Sequence, residues 1–156
     1  MRSFVRFLLI FSLVVWLGGI IFFSSVIAPA VFSVLPAQEA AGQIVNRSLG
    51  ALHYIGMACG VIFLAATFLA PLREAKAIRS LMTLMIVCTT LSQFAVLPQM
   101  SRIRGAVGGA IQALPAKDAG RAAFDRLREI SVLLEGITLL AGIGAVILVS
   151  REQKTE

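Results

Sequence analysis

Residues 7–32 read FLLIFSLVVWLGGIIFFSSVIAPAVF and contain no charged side chain. A helix needs about 20 consecutive apolar residues to cross the hydrocarbon layer of a bilayer, and this stretch exceeds that length. Because lipid offers no partner for backbone N–H and C=O groups, a segment that crosses it must be a helix or part of a closed barrel. The stretch therefore predicts a membrane-spanning helix.

The same stretch has features of a secretory signal peptide. Arg2 and Arg6 precede it, and Ala28-Pro29-Ala30 resembles a cleavage site. The hydrophobic region of a signal peptide has about 7–15 residues, which is much shorter than this run. We therefore interpret 7–32 as an uncleaved first span.

Three further apolar runs have a length suited to crossing a membrane: 49–70, 78–97 and 131–149. Pro71 and Pro98 are predicted to end the second and third runs, and Arg151 ends the fourth. Four such runs predict an all-α fold, an integral membrane antiparallel four-helix bundle that forms a single domain over 1–156.

Composition agrees with this fold class. Hydrophobic residues make up 58% of the chain and charged residues 14%, whereas a soluble domain is about half apolar and a quarter charged. A fold of this size cannot bury so much apolar surface, so membrane lipids are the expected partners. The net charge of +6 comes from basic residues between the apolar runs, which is typical of topology signals, and no nucleic acid is expected.

The polar breaks differ in length. Breaks 36–48 and 71–77 are short, whereas 99–130 is long and becomes helical after Pro115. Its second part mixes alanines with charged residues and predicts an amphipathic extension that continues into span four as one helix. Basic residues at both termini and in 71–77 favour cytoplasmic termini. The six basic residues of 99–130 point the other way.

Several short motifs follow one another along the chain: Trp16-Leu17-Gly18-Gly19, Phe22-Phe23, Ala28-Pro29-Ala30-Val31-Phe32, Ala41-Gly42, Leu52-His53-Tyr54-Ile55-Gly56, Leu97-Pro98 and FDRLREIS at 124–131. In this order they resemble the transmembrane protein 205-like group, the bacterial DUF4149 type of small four-span protein. The resemblance implies four membrane helices and residence in a bacterial inner membrane, and it brings no established activity. Arg128 stands where members of the group tend to carry a histidine, so a role of that histidine is not implied here.

Polar side chains within the spans mark the candidate site. Glu135 and His53 each lie about one turn inside a span, and Gln93 lies about one turn before the end of span three. Ser24 and Ser25 lie near the end of span one. If successive spans alternate in direction, all five positions fall at the same end of the bundle. Ionisable groups at membrane depth are costly and often functional.

Two interpretations of these residues remain open. They can form a shallow polar pocket that binds or transports a small ligand or a cation, with Glu135 and His53 as its ionisable pair. Alternatively, Glu135, His53 and Gln93 hydrogen-bond across helices and only stabilise the bundle, or Glu135 reaches toward Arg128 or the headgroups.

Cofactor sites have weaker support. Cys59, Cys88, Met57 and Met85 lie near mid-membrane on spans two and three and suit Cu(I) as soft ligands, but such residues are also ordinary core residues. The single histidine excludes a bis-histidine haem site within one chain. No cofactor is expected, and copper or haem in a redox protein stays an alternative.

Enzyme motifs such as HExxH, a Walker loop or GxSxG do not occur, so a non-enzymatic protein is expected. Small faces suited to close helix packing occur on three spans: Gly18, Gly19, Gly56, Gly60, Gly136, Gly142 and Gly144. They favour packing within one bundle over dimerisation. They also support the alternative of a structural or accessory subunit that contacts a second copy or another membrane protein.

Overall fold

The computed structural model of the chain describes residues 2–69, 72–108, 111–115 and 117–152. Within these ranges all regular structure is helical. Four helical segments are long and apolar enough to cross a membrane: span one Phe4–Val34, span two Ala40–Leu69, span three Ala75–Ala106 and span four Ala119–Arg151. The prediction of an all-α fold with four such helices is confirmed.

The individual helices have the following bounds: α1 Arg2–Phe22, α2 Ala28–Val34, α3 Gln38–Leu69, α4 Ala75–Leu91, α5 Leu97–Ala106 and α6 Ala119–Glu152. Two π-helical turns, Phe23–Ile27 and Ser92–Val96, join α1 to α2 and α4 to α5. A short 3₁₀ turn, Ile111–Ala113, lies in the connection before α6.

Proline does not end span three, contrary to the prediction from the sequence. The helix passes through Pro98 and ends at Ala106, and span one likewise continues through Pro29. A proline lacks an N–H group and its ring clashes with the carbonyl four residues earlier, which normally breaks an α-helix. Here a π turn lies directly before each α-helical segment that contains the proline. Such a widened turn shifts the backbone hydrogen bonds past the residue that lacks an N–H and makes room for the proline ring. The chain can therefore stay helical.

The connections are shorter than the sequence suggested. Most of the break predicted at 36–48 is helical, because α3 already begins at Gln38. Residues Ala70 and Pro71, where span two was expected to end, lie outside the described residues. The predicted continuous helix before span four is confirmed, since α6 runs unbroken from Ala119. The Asp118 carboxylate accepts the backbone N–H of Gly120 at 2.8 Å and so caps the start of this helix.

Trp16 occupies the centre of the contact between spans one and two. Its side chain is 1% exposed, and the indole lies directly against the backbone at Gly56 and Gly60. A Cβ atom at Gly60 would lie 2.8 Å from Cζ3 of Trp16, and one at Gly56 would collide with the indole nitrogen. The two glycines therefore form a groove for the indole ring inside the bundle.

Other predicted small faces also pack within the chain. Gly142 on span four receives Leu17, and Gly19 on span one receives Leu52. The rest of the core is formed by large apolar side chains from spans one to three and by smaller ones from span four, including Leu9, Leu13, Phe63, Ile78, Met82, Met85, Ala141 and Ala145. Close glycine contacts therefore bring spans one, two and four together.

Large apolar side chains also cover the outside of the bundle. Phe4, Phe68, Leu69, Val132 and Leu140 are each more than half exposed. A soluble monomer rarely exposes apolar surface of this extent. This outer surface is suited to contact with membrane lipids.

The Trp16 groove yields a test of the packing. We expect Gly56→Ala to lower the free energy of unfolding, because the added methyl group must displace a fully buried indole. Overpacking of a close contact costs about 1–3 kcal/mol. Thermal unfolding in detergent measures the change.

Gly136→Ala is the matched control, because nothing lies within 4 Å of the position that its Cβ would take. Alanine is favoured over glycine inside a helix by about 1 kcal/mol, so this variant should be as stable as the parent or more so. Equal stability of the two variants would contradict the groove.

Candidate functional site

His53, Gln93 and Glu135 meet at one point between spans two, three and four. The His53 ring is buried, with Nδ1 3.0 Å from Oε1 of Gln93 and Nε2 2.6 Å from Oε1 of Glu135. The three side chains come from positions separated by 40 and 82 residues. We call this cluster the polar triad.

Local backbone structure places each member of the polar triad. His53 lies on α3 one turn after Leu49 along the chain, so the two residues share one face of that helix. Gln93 belongs to the π turn Ser92–Val96. Glu135 lies on α6 about two turns after Arg128 along the chain. π turns inside α-helices often occur at functional sites.

The orientation of the Gln93 amide determines which ring nitrogens of His53 carry a hydrogen, and in the structure its oxygen faces Nδ1. An amide oxygen can only accept, so Nδ1 of His53 carries the hydrogen that it donates to Gln93. One further proton lies between Nε2 of His53 and the carboxyl of Glu135. Either an imidazolium faces a carboxylate, or a neutral imidazole accepts from a carboxylic acid. If the Gln93 amide is turned round, its NH₂ group donates to Nδ1, and Nε2–H of a neutral imidazole donates to the Glu135 carboxylate.

A cavity of about 350 Å³ adjoins the triad and is bordered by all four spans. Its lining residues are Phe23, Ser24, Ala28, Phe32, Gly42, Val45, Asn46, Leu49, Leu97, Met100, Arg104, Phe124, Arg128, Ser131, Val132 and Glu135. Glu135 is thus the triad member that faces the cavity, and its side chain is 19% exposed. We call this space the central cavity.

The five candidate residues take different positions. Ser24 lines the central cavity together with Glu135. His53 and Gln93 lie behind Glu135 and reach the cavity through it. Ser25 is exposed and does not line the cavity. The structure therefore brings together the triad and Ser24, and it leaves Ser25 apart.

Two basic residues of the cavity were not among the candidate site residues from the sequence. Arg104 was assigned to a long connection and Arg128 to an amphipathic extension, yet both line the central cavity. Helical spacing carries a signal for Arg128, because positions 128, 131 and 135 share one face of α6. Helical spacing would place Arg104 on the cavity side of span three only if the helix continues through Pro98. The sequence pattern predicted that the helix ends there.

Arg104 is held at the edge of the central cavity. Its guanidinium lies over the Phe124 ring, 5.4 Å from the ring centre, and a Cβ atom at Gly42 would lie 2.9 Å from Nη2. Cations are attracted to the face of an aromatic ring. A second, more open groove of about 650 Å³ also borders Arg104 and Asn46. Arg104 therefore separates the cavity from a polar groove near the connections.

The four sulfur residues considered as soft ligands lie within the packed helices of spans two and three. Cys59 and Cys88 are buried free thiols, Met85 lies in the core, and Met57 accepts a hydrogen bond from Thr90 at 3.6 Å. Among the residues that the structure describes, no three His, Cys, Asp or Glu side chains are grouped to hold a metal ion. Both ring nitrogens of His53 have partners, so a haem iron would have to displace one of them.

Fold and site together define a multi-pass membrane protein with a polar triad and an adjoining cavity at one end of its spans. A family model described as "Domain of unknown function (DUF4149)" matches residues 11–107. The match covers more than half of the chain, and the chain belongs to this family. It includes His53 and Gln93 and ends before Glu135. No curated protein and no solved structure matches the chain.

The triad predicts a particular histidine tautomer. Because the chain contains one histidine, its two ring nitrogens can be observed without overlap in ¹⁵N-histidine-labelled protein. We expect Nδ1 to give the resonance of a protonated nitrogen. Gln93→Leu removes the acceptor and should change the Nδ1 signal. An unprotonated Nδ1 in the parent protein would mean that Gln93 donates to the ring, and it would contradict the proton shared between His53 and Glu135.

Removal of the Glu135 carboxyl should destabilise the fold. Glu135→Ala leaves a buried imidazole nitrogen without its partner, which costs about 1–3 kcal/mol of unfolding free energy. Glu135→Gln should recover part of this loss, because an amide can still donate to Nε2. Thermal unfolding in detergent measures the three proteins.

Glu129→Ala is the control, because Glu129 is an exposed acid on the same helix. It should leave the unfolding temperature nearly unchanged. A loss as large as that of Glu135→Ala would show that the effect does not arise from the triad.

Proposed function

We propose that the chain is a non-enzymatic membrane protein that binds a small ligand in the central cavity, with the polar triad as the floor of the site. One observation carries this proposal. Glu135 faces the cavity and at the same time hydrogen-bonds to the buried His53. A ligand in the cavity would thus contact an ionisable group whose proton is shared with a second one.

The size and lining of the cavity support binding. Ligand sites commonly have volumes of about 300–1,000 Å³ and combine apolar walls with a few polar groups. The central cavity has about 350 Å³ and places Ser24, Asn46, Ser131 and Glu135 among apolar side chains. Polar and ionisable groups at membrane depth cost free energy, and they often mark a functional site.

The hydrogen bond between His53 and Glu135 lets the site respond to the charge of a ligand. When the proton lies on His53, Glu135 presents a carboxylate, which attracts a cation or a donor group. When the proton lies on Glu135, the same oxygen presents a neutral acid. Binding that favours one state shifts the proton within the pair. The proposal therefore extends to transport of a small ligand or a cation.

The accessory-subunit alternative has less support. The sequence feature that favoured an accessory subunit was the set of glycine faces. Four of these glycines contact side chains of this same chain: Gly19, Gly56, Gly60 and Gly142. Gly18 and Gly136 have open space around them and remain available to a second copy or to another membrane protein. The proposal assigns no haem, copper or other cofactor to the chain.

The likeness to the transmembrane protein 205-like group supports placement in a bacterial inner membrane. Basic residues near both ends of the chain support cytoplasmic termini. With that orientation the central cavity opens toward the opposite side of the membrane, because it lies at the end of the spans that carries 35–37 and 107–118.

Blocking the cavity tests the proposal. Val132 lines the central cavity and is 66% exposed, so Val132→Trp should fold and fill part of the space. We expect protein purified in mild detergent to retain a small molecule that mass spectrometry detects in the extract. Val132→Trp should retain several-fold less of it, because the ring occupies the volume that the ligand needs.

Leu133→Trp is the matched control, since Leu133 is similarly exposed and does not line the cavity. It should retain as much ligand as the parent. Equal retention by all three proteins, or no retained molecule in any of them, would refute ligand binding in the cavity.

A further inference from the structure

The central cavity has a basic end and a deeper end that is formed by Glu135 of the polar triad. Arg104 and Arg128 line it from spans three and four, and Glu135 lies at its deeper end. Arg128 precedes Glu135 by seven residues on α6, which corresponds to about 10 Å along the helix at 1.5 Å per residue. The backbone position of Arg128 is thus about two helical turns from that of Glu135 at the floor of the cavity.

The basic end of the cavity contains two guanidinium groups, those of Arg104 and Arg128. Glu135, the acid that lines the cavity, is hydrogen-bonded to His53 at the deeper end. Arg104 and Arg128 stay protonated and offer planar sets of donors that fit phosphate or carboxylate oxygens. An anionic group is therefore favoured at this end of the cavity.

The remaining walls are apolar. Phe32, Leu49, Leu97 and Met100 line the space between the arginines and the floor. A fully hydrated inorganic anion gains nothing from such walls, whereas a molecule with an anionic head and an apolar part buries hydrocarbon against them. The lining is therefore suited to an amphiphile.

The cavity also has an opening toward the surrounding lipid. α2 packs on span two, whereas span four packs mainly on span three. Ser24, Phe32 and Val132 line the cavity from both sides of the resulting gap and are exposed on the outside of the bundle. A molecule dissolved in the bilayer can enter between span one and span four without passing through water.

From these observations we infer that the central cavity binds an anionic membrane lipid. Its phosphate lies between Arg104 and Arg128, and its acyl chains leave through the gap between span one and span four. This assignment rests on the ligand-binding function proposed above and names the chemical class of the ligand. It also gives Arg104, at the border of the outer polar groove, the role of holding the headgroup near the membrane surface.

Lipid titration of the full chain tests the assignment. The probe is phosphatidylglycerol added to protein in phosphatidylcholine nanodiscs, and native mass spectrometry counts the bound lipid. We expect one phosphatidylglycerol to bind in preference to phosphatidylcholine. Arg104→Gln and Arg128→Gln should each weaken this binding about tenfold, because a charge-assisted hydrogen bond is worth at least about 1.4 kcal/mol, a factor of ten.

Two neighbouring arginines provide matched controls. Arg102 and Arg126 are exposed on the same helices as Arg104 and Arg128, and neither lines the cavity. Arg102→Gln and Arg126→Gln remove the same charge and should leave the affinity nearly unchanged. If they weaken binding as much as the cavity variants, general surface charge attracts the lipid and the assignment is wrong.

Two further measurements keep the result decisive. Val132→Trp narrows the lipid-facing gap without changing any charge and should also weaken phosphatidylglycerol binding, which covers the case that an arginine variant does not fold. Inorganic phosphate is added as a competitor. Phosphate that binds as tightly as the lipid would identify a free anion as the ligand and overturn the lipid assignment.

Failure of this inference can be told apart from failure of the proposed function. If phosphatidylglycerol shows no preference but the parent still retains a molecule that Val132→Trp loses, the cavity binds a ligand of another class. If neither binding is observed, both the lipid assignment and the proposed function are wrong.

Discussion

Hydrocarbon offers no hydrogen-bond partner, and this constraint governs both the backbone and the polar side chains of the protein. The four spans satisfy their backbone groups by forming helices. The ionisable groups of His53 and Glu135 satisfy each other within 2.6 Å, and Gln93 accepts the second ring hydrogen of the histidine. Because each partner comes from a different span, the triad can exist only when spans two, three and four are packed together.

The two π turns show how the same constraint is met where the sequence carries a proline. A proline in a membrane helix removes a hydrogen bond that lipid cannot replace. In this protein a widened turn precedes each such segment, and the helix then continues to Val34 in span one and to Ala106 in span three. The turn in span three contains Gln93, and the continued helix carries Arg104 to the cavity. The π turn of span three thus supplies Gln93 to the triad, and the helix that continues after it supplies Arg104 to the cavity.

Glycine has a different role in the same bundle. The groove at Gly56 and Gly60 receives the ring of Trp16, and this contact joins span one to span two at mid-depth. Toward the other end of span one, α2 stays on span two, and a gap to span four remains beside the cavity. Tight packing in the middle and a gap at one end are compatible because they involve different turns of the same helices.

The sequence by itself determined the fold class, since four long and predominantly apolar runs can be stable only as helices in lipid. It also indicated that His53, Gln93 and Glu135 lie at one level, because this follows from counting turns along each span. It could not determine that they touch, because contact depends on how each helix is rotated about its axis. It also misjudged Pro98, because the residue pattern shows the missing N–H of the proline but does not show the π turn before it, which keeps the chain helical. Only the tertiary structure therefore decided that Arg104 and Arg128 face the same cavity as Glu135.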